Sequence, residues 1–161
     1  MNALDLITEQ HKEIDARLAR LPAIEDPDEK QREFDALADR LAAHMAIKEE
    51  IFYPAVRVTS TFARLDACIE EQVGIKRLLA DLLGLDPTET TFEEKLKLLG
   101  EKLSRHHTRE EEHKLFPEIS KMLSREQLEA LGGEMESLFA ELLSGQPRER
   151  ITSELEETAH P

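Results

Sequence analysis

Apolar side chains recur every three or four residues through most of the chain, the spacing of amphipathic helices. A first stripe of Leu4, Ile7, Ile14, Leu18 and Leu21 predicts a helix from about Ala3 to Leu21 that stops before Pro22. A second helix should open at Asp26-Pro27, where the carboxylate can cap and proline suits the first helical position. Its stripe holds Phe34, Leu37, Leu41, Ile51, Phe52 and Ala55, and Pro54 marks a kink or an end. A third follows Thr59-Ser60-Thr61, carries Leu65, Ile69, Ile75, Leu79 and Leu82 or Leu83, and closes at Gly84. The fourth opens near Thr90-Thr91, with Glu93 and Glu94 at the positive end of its dipole, and runs through Leu96, Leu99, Leu103, Leu115 and Ile119. Ser124-Arg125-Glu126-Gln127 has the form of a helix cap for a shorter fifth helix reaching about Leu143.

Long amphipathic helices joined by short connections pack most naturally as an all-α, antiparallel up-down-up-down four-helix bundle, here with an additional short C-terminal helix. Residues 1–145 are expected to form the bundle and 146–161 a polar tail, helical at most in patches. The fifth helix has an apolar face of Leu128, Leu131, Met135, Leu138 and Leu142, which would either close the bundle or make a homodimer.

The stripes are interrupted in a regular way. Counting by three and four gives Leu4, Ile7, His11, Ile14 on the first helix and Leu37, Leu41, His44, Lys48, Ile51 on the second. The third gives Leu65, Ile69, Gln72, Ile75 and the fourth Leu99, Leu103, His107, Glu111, Leu115. Burying each unpaired neutral group would cost about 1 to 3 kcal/mol, and each charge more, so these residues must satisfy one another or a ligand. A metal ion is a common partner for all of them. His107 and Glu111 sit one turn apart on one face, where both can reach a single ion. By the same counting Glu110 and Glu112 read as charged surface, and His106 and His113 as solvated or supporting residues, since adjacent His106 and His107 do not share a face of an α-helix.

Composition removes several function classes. Thirty-five acids against 21 bases give a formal charge of -14, which repels phosphate backbones and anionic lipid, and no basic patch offsets it. Neither nucleic acid nor membrane is therefore an expected partner, and no run approaches the roughly 18 uninterrupted apolar residues of a membrane span. The single Cys68 cannot form an intramolecular disulfide and reads as a small core residue. With no basic, apolar leader in Met1 to Asp5, a reducing cytoplasm is the expected location.

The chain also repeats internally. His44 to Pro54 aligns without gaps on His107 to Pro117, with histidine, a following acid and an aromatic-proline end in common, and His11 to Ile14 echoes Gln72 to Ile75 more weakly. These motifs, over roughly Leu4 to Leu123, resemble the hemerythrin-like HHE family. Its members carry a histidine on helix 1, His-x-x-x-Glu on helices 2 and 4, and a Glu-His pair on helix 3. The resemblance implies a non-haem iron centre, two irons held by the histidines and bridged by the two glutamates, with a small diatomic molecule or peroxide as ligand. His11, His44, His107 and Glu111 fall on the family's ligand positions, whereas Lys48 stands at the helix 2 glutamate and Gln72 at the helix 3 histidine.

Both departures strike the same half of such a site. The ammonium of Lys48 beside Glu111 would replace a cation and leave a mononuclear centre on His11, His107 and Glu111, with His44 a further contributor. Alternatively Glu49 or Glu71 is recruited by a modest helix rotation, keeping the site dinuclear. Imidazole and carboxylate suit iron, manganese or zinc alike; the resemblance alone points to iron and to handling or sensing O2, NO, peroxide or iron. Two other readings are a metal-free bundle acting as a binding or structural module around a Lys48–Glu111 pair, and a metal-dependent peroxide or oxidative enzyme.

Overall fold

The computed structural model describes residues 1–159, with side chains described through residue 155, and every regular element among them is helical. Helix α1, Ala3–Arg20, is capped by Asn2, whose side chain accepts from the Asp5 amide at 2.9 Å; it ends one residue sooner than the stripe suggests, tightening into a 3-10 turn at Leu21–Ala23 around Pro22. Asp26 caps α2, Pro27–Ile47, by accepting from Glu29 N.

Beyond Ile47 the same rod widens into a π-helical stretch, π1, over Lys48–Phe52 and returns to α geometry as α3, Tyr53–Val56. Helix α4 covers Phe62–Leu83 and stops at Gly84. The fourth rod is built as the second is: α5, Thr90–Ser104, then π2, Arg105–Leu115, then α6, Phe116–Met122. Each widened stretch ends two residues before a proline, Pro54 or Pro117, and the closing bonds run from Tyr53 N–H to Lys48 O and from Phe116 N–H to Glu111 O. A proline ring clashes with the carbonyl four residues back and offers no N–H, so an i to i−5 turn ahead of it relieves the conflict that would otherwise break the helix. Pro54 thus produces a widened turn first and the helix end only at Val56.

Helix α7, Arg125–Leu143, opens on a complete capping box in which Ser124 and Gln127 satisfy each other's backbone amides. It packs along α1 and α2, and its Leu128, Leu131 and Met135 are buried with Ile7, Phe52 and Leu115. The fifth helix therefore closes the bundle within the chain. Gly132 lets the α7 backbone approach the N-terminus so closely that a Cβ there would lie 2.2 Å from Met1 O.

The tail departs from its expectation. Helix α8, Glu149–Ala159, lies on α4, buries Ile151 in the core, and is tied down by Arg148 to Asp39 at 2.6 Å and Glu154 to Lys76 at 2.8 Å. Ile151 and Leu155 form one apolar pair in a charged segment, too short a period to stand out. His160, assigned to the tail, falls outside the described residues.

The core is divided. One apolar group gathers Ile14, Leu41, Met45, Ile75 and Leu103, and a second gathers Ile7, Ile47, Leu65, Cys68 and Leu115. On each of the four rods buried polar residues fall between the two: His11 on α1, His44 on α2, Gln72 on α4, His107 and Glu111 on π2, while Lys30 and Thr61 are buried elsewhere. No described helix is long and apolar enough to cross a membrane.

Candidate metal centre

His11, His44, His107 and Glu111 are all buried, and each offers a donor atom within 4.8 Å of those of the others. The His11 and His107 rings stack with centroids 3.8 Å apart, and His44 stands edge-on to both at 5.0 Å. The structure thus joins the helix 2 histidine to the set predicted on helices 1 and 4.

The outer nitrogens of two rings are fixed. His44 Nδ1 donates to Gln10 Oε1 at 2.6 Å and His11 Nδ1 to Glu112 Oε2 at 2.7 Å. An amide or carboxylate oxygen only accepts, so each Nδ1 carries a proton. Each Nε2 then points inward. His11 Nε2 faces Glu111 Oε1 at 3.3 Å without a hydrogen bond, and His44 Nε2 and both nitrogens of His107 also lack a partner. Burial, reinforced by the charge of Lys48, holds the His44 and His107 imidazoles well below the ordinary histidine range, so both are neutral ligands in waiting.

Four orphaned nitrogens around a carboxylate would cost about 1–3 kcal/mol each if nothing met them. A cation of the kind imidazole and carboxylate bind meets one nitrogen of each ring, and His11 and His44, whose second ring nitrogen is held by a carboxylate or amide, are oriented as metal ligands are. The residues fit a metal ion.

Glu111 is also the anchor of the other half. Lys48 Nζ donates to its Oε1 at 2.8 Å and Tyr53 Oη to its Oε2 at 2.7 Å. Burial alone would raise this carboxyl, but the ammonium of Lys48 foremost holds it well below the usual carboxylate range, ionised. Burial followed by Glu111 itself pushes Tyr53 upward, keeping its hydroxyl a donor.

Glu49 does not join the donor group. Its carboxylate accepts from Gln72 Nε2 at 2.8 Å and pairs with Lys76 at 2.7 Å, because residue 49 leaves the helix on the side facing α4. His106 is the supporting residue the sequence reading allowed for, though on the inward face that reading denied it. It is 1% exposed, accepts from Lys48 at 3.4 Å through Nε2 and donates from Nδ1 to Glu71 at 3.1 Å. In a π turn each residue advances by less than the 100° of an α-helix, so 106 and 107 both face inward. His113 is exposed, as expected. Gln10, Tyr53 and Glu112 escaped sequence reasoning; the signal for Gln10 and Glu112 was their place directly beside the two ligands His11 and Glu111, that for Tyr53 its place in the aromatic-proline end.

Residues 2–119, which include all four donors, match the family model of the hemerythrin HHE cation binding domain. Among curated proteins the chain is 31% identical over 129 residues to a protein named DNA nickase from Nostoc sp. (strain PCC 7120 / SAG 25.82 / UTEX 2576), an overlap of 80% of this chain but only 36% of that protein. A crystal structure of a hemerythrin HHE cation binding domain-containing protein from Mycobacterium kansasii superposes with a TM-score of 0.77, covering 89% of this chain and 88% of that one at 21% identity, a likeness of fold.

Proposed function

The chain belongs to the hemerythrin HHE cation-binding family, and from that premise we propose that it binds a single iron through His11, His44, His107 and Glu111 and uses it to handle or sense O2, NO or peroxide. The observation that carries this reading is the set of unpartnered buried nitrogens on His11, His44 and His107 converging on Glu111. Lys48 supports one metal rather than two, since its ammonium, fully buried against Glu111, supplies the positive charge that a second ion would bring. Iron in this setting would supply one-electron redox chemistry and a coordination position for a small ligand.

The protein's own residues do the rest. Gln10 and Glu112 fix the tautomers of His44 and His11, Tyr53 and Lys48 hold Glu111 ionised and oriented, and the two apolar groups on either side exclude water. The one buried thiol is suited to a reducing cytoplasm. DNA nicking is not carried over from the Nostoc protein, because the overlap is 36% of that protein and a formal charge of -14 disfavours a phosphate backbone.

The test is elemental analysis of tag-free protein loaded with ferrous iron, beside Glu111→Ala. The reading requires about one iron per chain, lost in the variant. Two irons would overturn the role given to Lys48. None would overturn iron binding and favour a metal-free module built on the Lys48–Glu111 pair.

A further inference from the structure

A second group of donors lies beside the first. Cys68, Glu71 and His106 each place one ligand atom within 4.8 Å of the others. Cys68 and Glu71 are three residues apart on α4, hence on one face, and His106 arrives from π2, inward only because that helix is widened. The thiol and the imidazole are buried at 1% exposure each, while the Glu71 side chain is 29% exposed and lines an open cleft of about 450 Å³ shared with Glu70, Lys102, Arg105 and Glu110. No donor is shared with the His11, His44, His107, Glu111 group.

We propose that Cys68, Glu71 and His106 form a second metal site, for a thiophilic divalent cation such as zinc, reached through the cleft at Glu71 and open there at a fourth position. A thiolate, an imidazole and a carboxylate together form a donor set for tetrahedral zinc, and three protein ligands with one position left open is the arrangement of accessible rather than sealed zinc sites. Glu71 Oε1 and His106 Nδ1 are already 3.1 Å apart. Two atoms bound at about 2.0–2.1 Å in tetrahedral geometry are separated by roughly 3.3 Å, so this edge needs little change. To ligate, the imidazole takes its other neutral tautomer, its proton moving from Nδ1 to Nε2, which gives up the contact with Lys48 and faces Glu111 Oε1 at 3.7 Å.

Charge also favours the site. Lys48 Nζ stands 3.4 Å from His106 Nε2 and would repel an uncompensated dication. Here the ion brings two anions of its own, since the Cys68 thiol releases its proton to solvent as the metal–sulfur bond forms and the Glu71 carboxylate is already charged. The assembled site is neutral next to the ammonium. Sulfur separates the two centres by softness: the first has only imidazole and carboxylate, and the second would be filled preferentially by the softer ion.

Cobalt(II), which takes zinc's place and reports sulfur ligation through a near-ultraviolet thiolate-to-cobalt band, is the probe. Because Cys68 is the chain's one cysteine, such a band can arise only from it. Full-length protein titrated with cobalt should develop the band. Cys68→Ser should abolish it, Glu71→Gln and His106→Gln should weaken cobalt binding at the band by about tenfold or more, and His107→Gln, which disables the iron centre, should leave it in place. No band at saturating cobalt in protein shown folded by circular dichroism overturns the proposal. So does a band indifferent to both Glu71→Gln and His106→Gln. Failure of iron loading together with an intact band would sink the iron reading and leave this one standing.

Discussion

Lys48 Nζ lies 2.8 Å from Glu111 Oε1, and neither side chain is exposed to solvent. A buried pair of this kind contributes little net stability over an apolar replacement, but removing one partner strands the other charge. Lys48→Met should therefore destabilise the metal-free protein by about 3–5 kcal/mol, and Lys48→Met with Glu111→Leu should recover most of the loss. Urea denaturation of the two variants checks this; equal instability in both would mean that the pair's charges are not the source.

Acid should destabilise the apoprotein in two stages. His44 and His107 are held well below their ordinary 6.5, so below that pH the unfolded chain binds protons that the folded one refuses, and stability falls. Glu111, depressed below 4.5, adds a loss of the same sign as pH drops past that value and towards its folded pKa. Urea midpoints measured from pH 7.5 downward should decline first below about 6.5, and His107→Gln should flatten that first decline. A midpoint level down to pH 5 would contradict the neutral state assigned to these imidazoles.

Much of this architecture was legible because its helices obey the 3.6-residue period and end on recognisable chemistry: Asp26-Pro27 and Ser124 to Gln127 open helices as read, and Gly84 closes one. What escaped follows from the places where that period fails. The widened turns before Pro54 and Pro117 rotate His106 into the interior, and a count by three and four keeps it outside. Placing His11, His44, His107 and Glu111 on the inward stripes was within reach of the same count, because each occupies a slot between apolar neighbours. Their outer partners were not, since Gln10 and Glu112 lie off the stripe and meet the histidines only through packing of α1 against α2 and π2.

Gly132 and Gly133 provide a matched pair. A Cβ at 132 would meet backbone at Met1 O, Asn2 C and Ala3 N, the nearest at 2.2 Å, whereas one at 133 would have nothing within 4 Å. Backbone cannot move aside as a side-chain end can, so Gly132→Ala should cost about 1–3 kcal/mol by lifting α7 from the N-terminus. Gly133→Ala, in open space on a helix, should instead stabilise by about 0.5–1 kcal/mol. Thermal melts of the two single variants should move in opposite directions.

Glu112 touches the centre only through His11, whose Nδ1 donates to it at 2.7 Å. That bond keeps the proton on Nδ1 and the lone pair of Nε2 directed at Glu111 and any ion beside it; without it the ring is free to exchange tautomers or turn. Carboxylates in this role typically contribute 10–100-fold in metal affinity. Glu112→Ala should thus weaken iron binding by about 10–100-fold, measured by competition with a chelator, while water admitted where the partly exposed carboxylate stood accepts from His11 Nδ1 and limits the fall in the apoprotein's unfolding midpoint. Glu112→Gln, which keeps an oxygen acceptor, should restore part of the affinity. Unchanged affinity in Glu112→Ala would show that stacking against His107 at 3.8 Å is enough to orient His11, and a fall in stability equal to the fall in affinity would make Glu112 a packing residue rather than a support for the metal ligand.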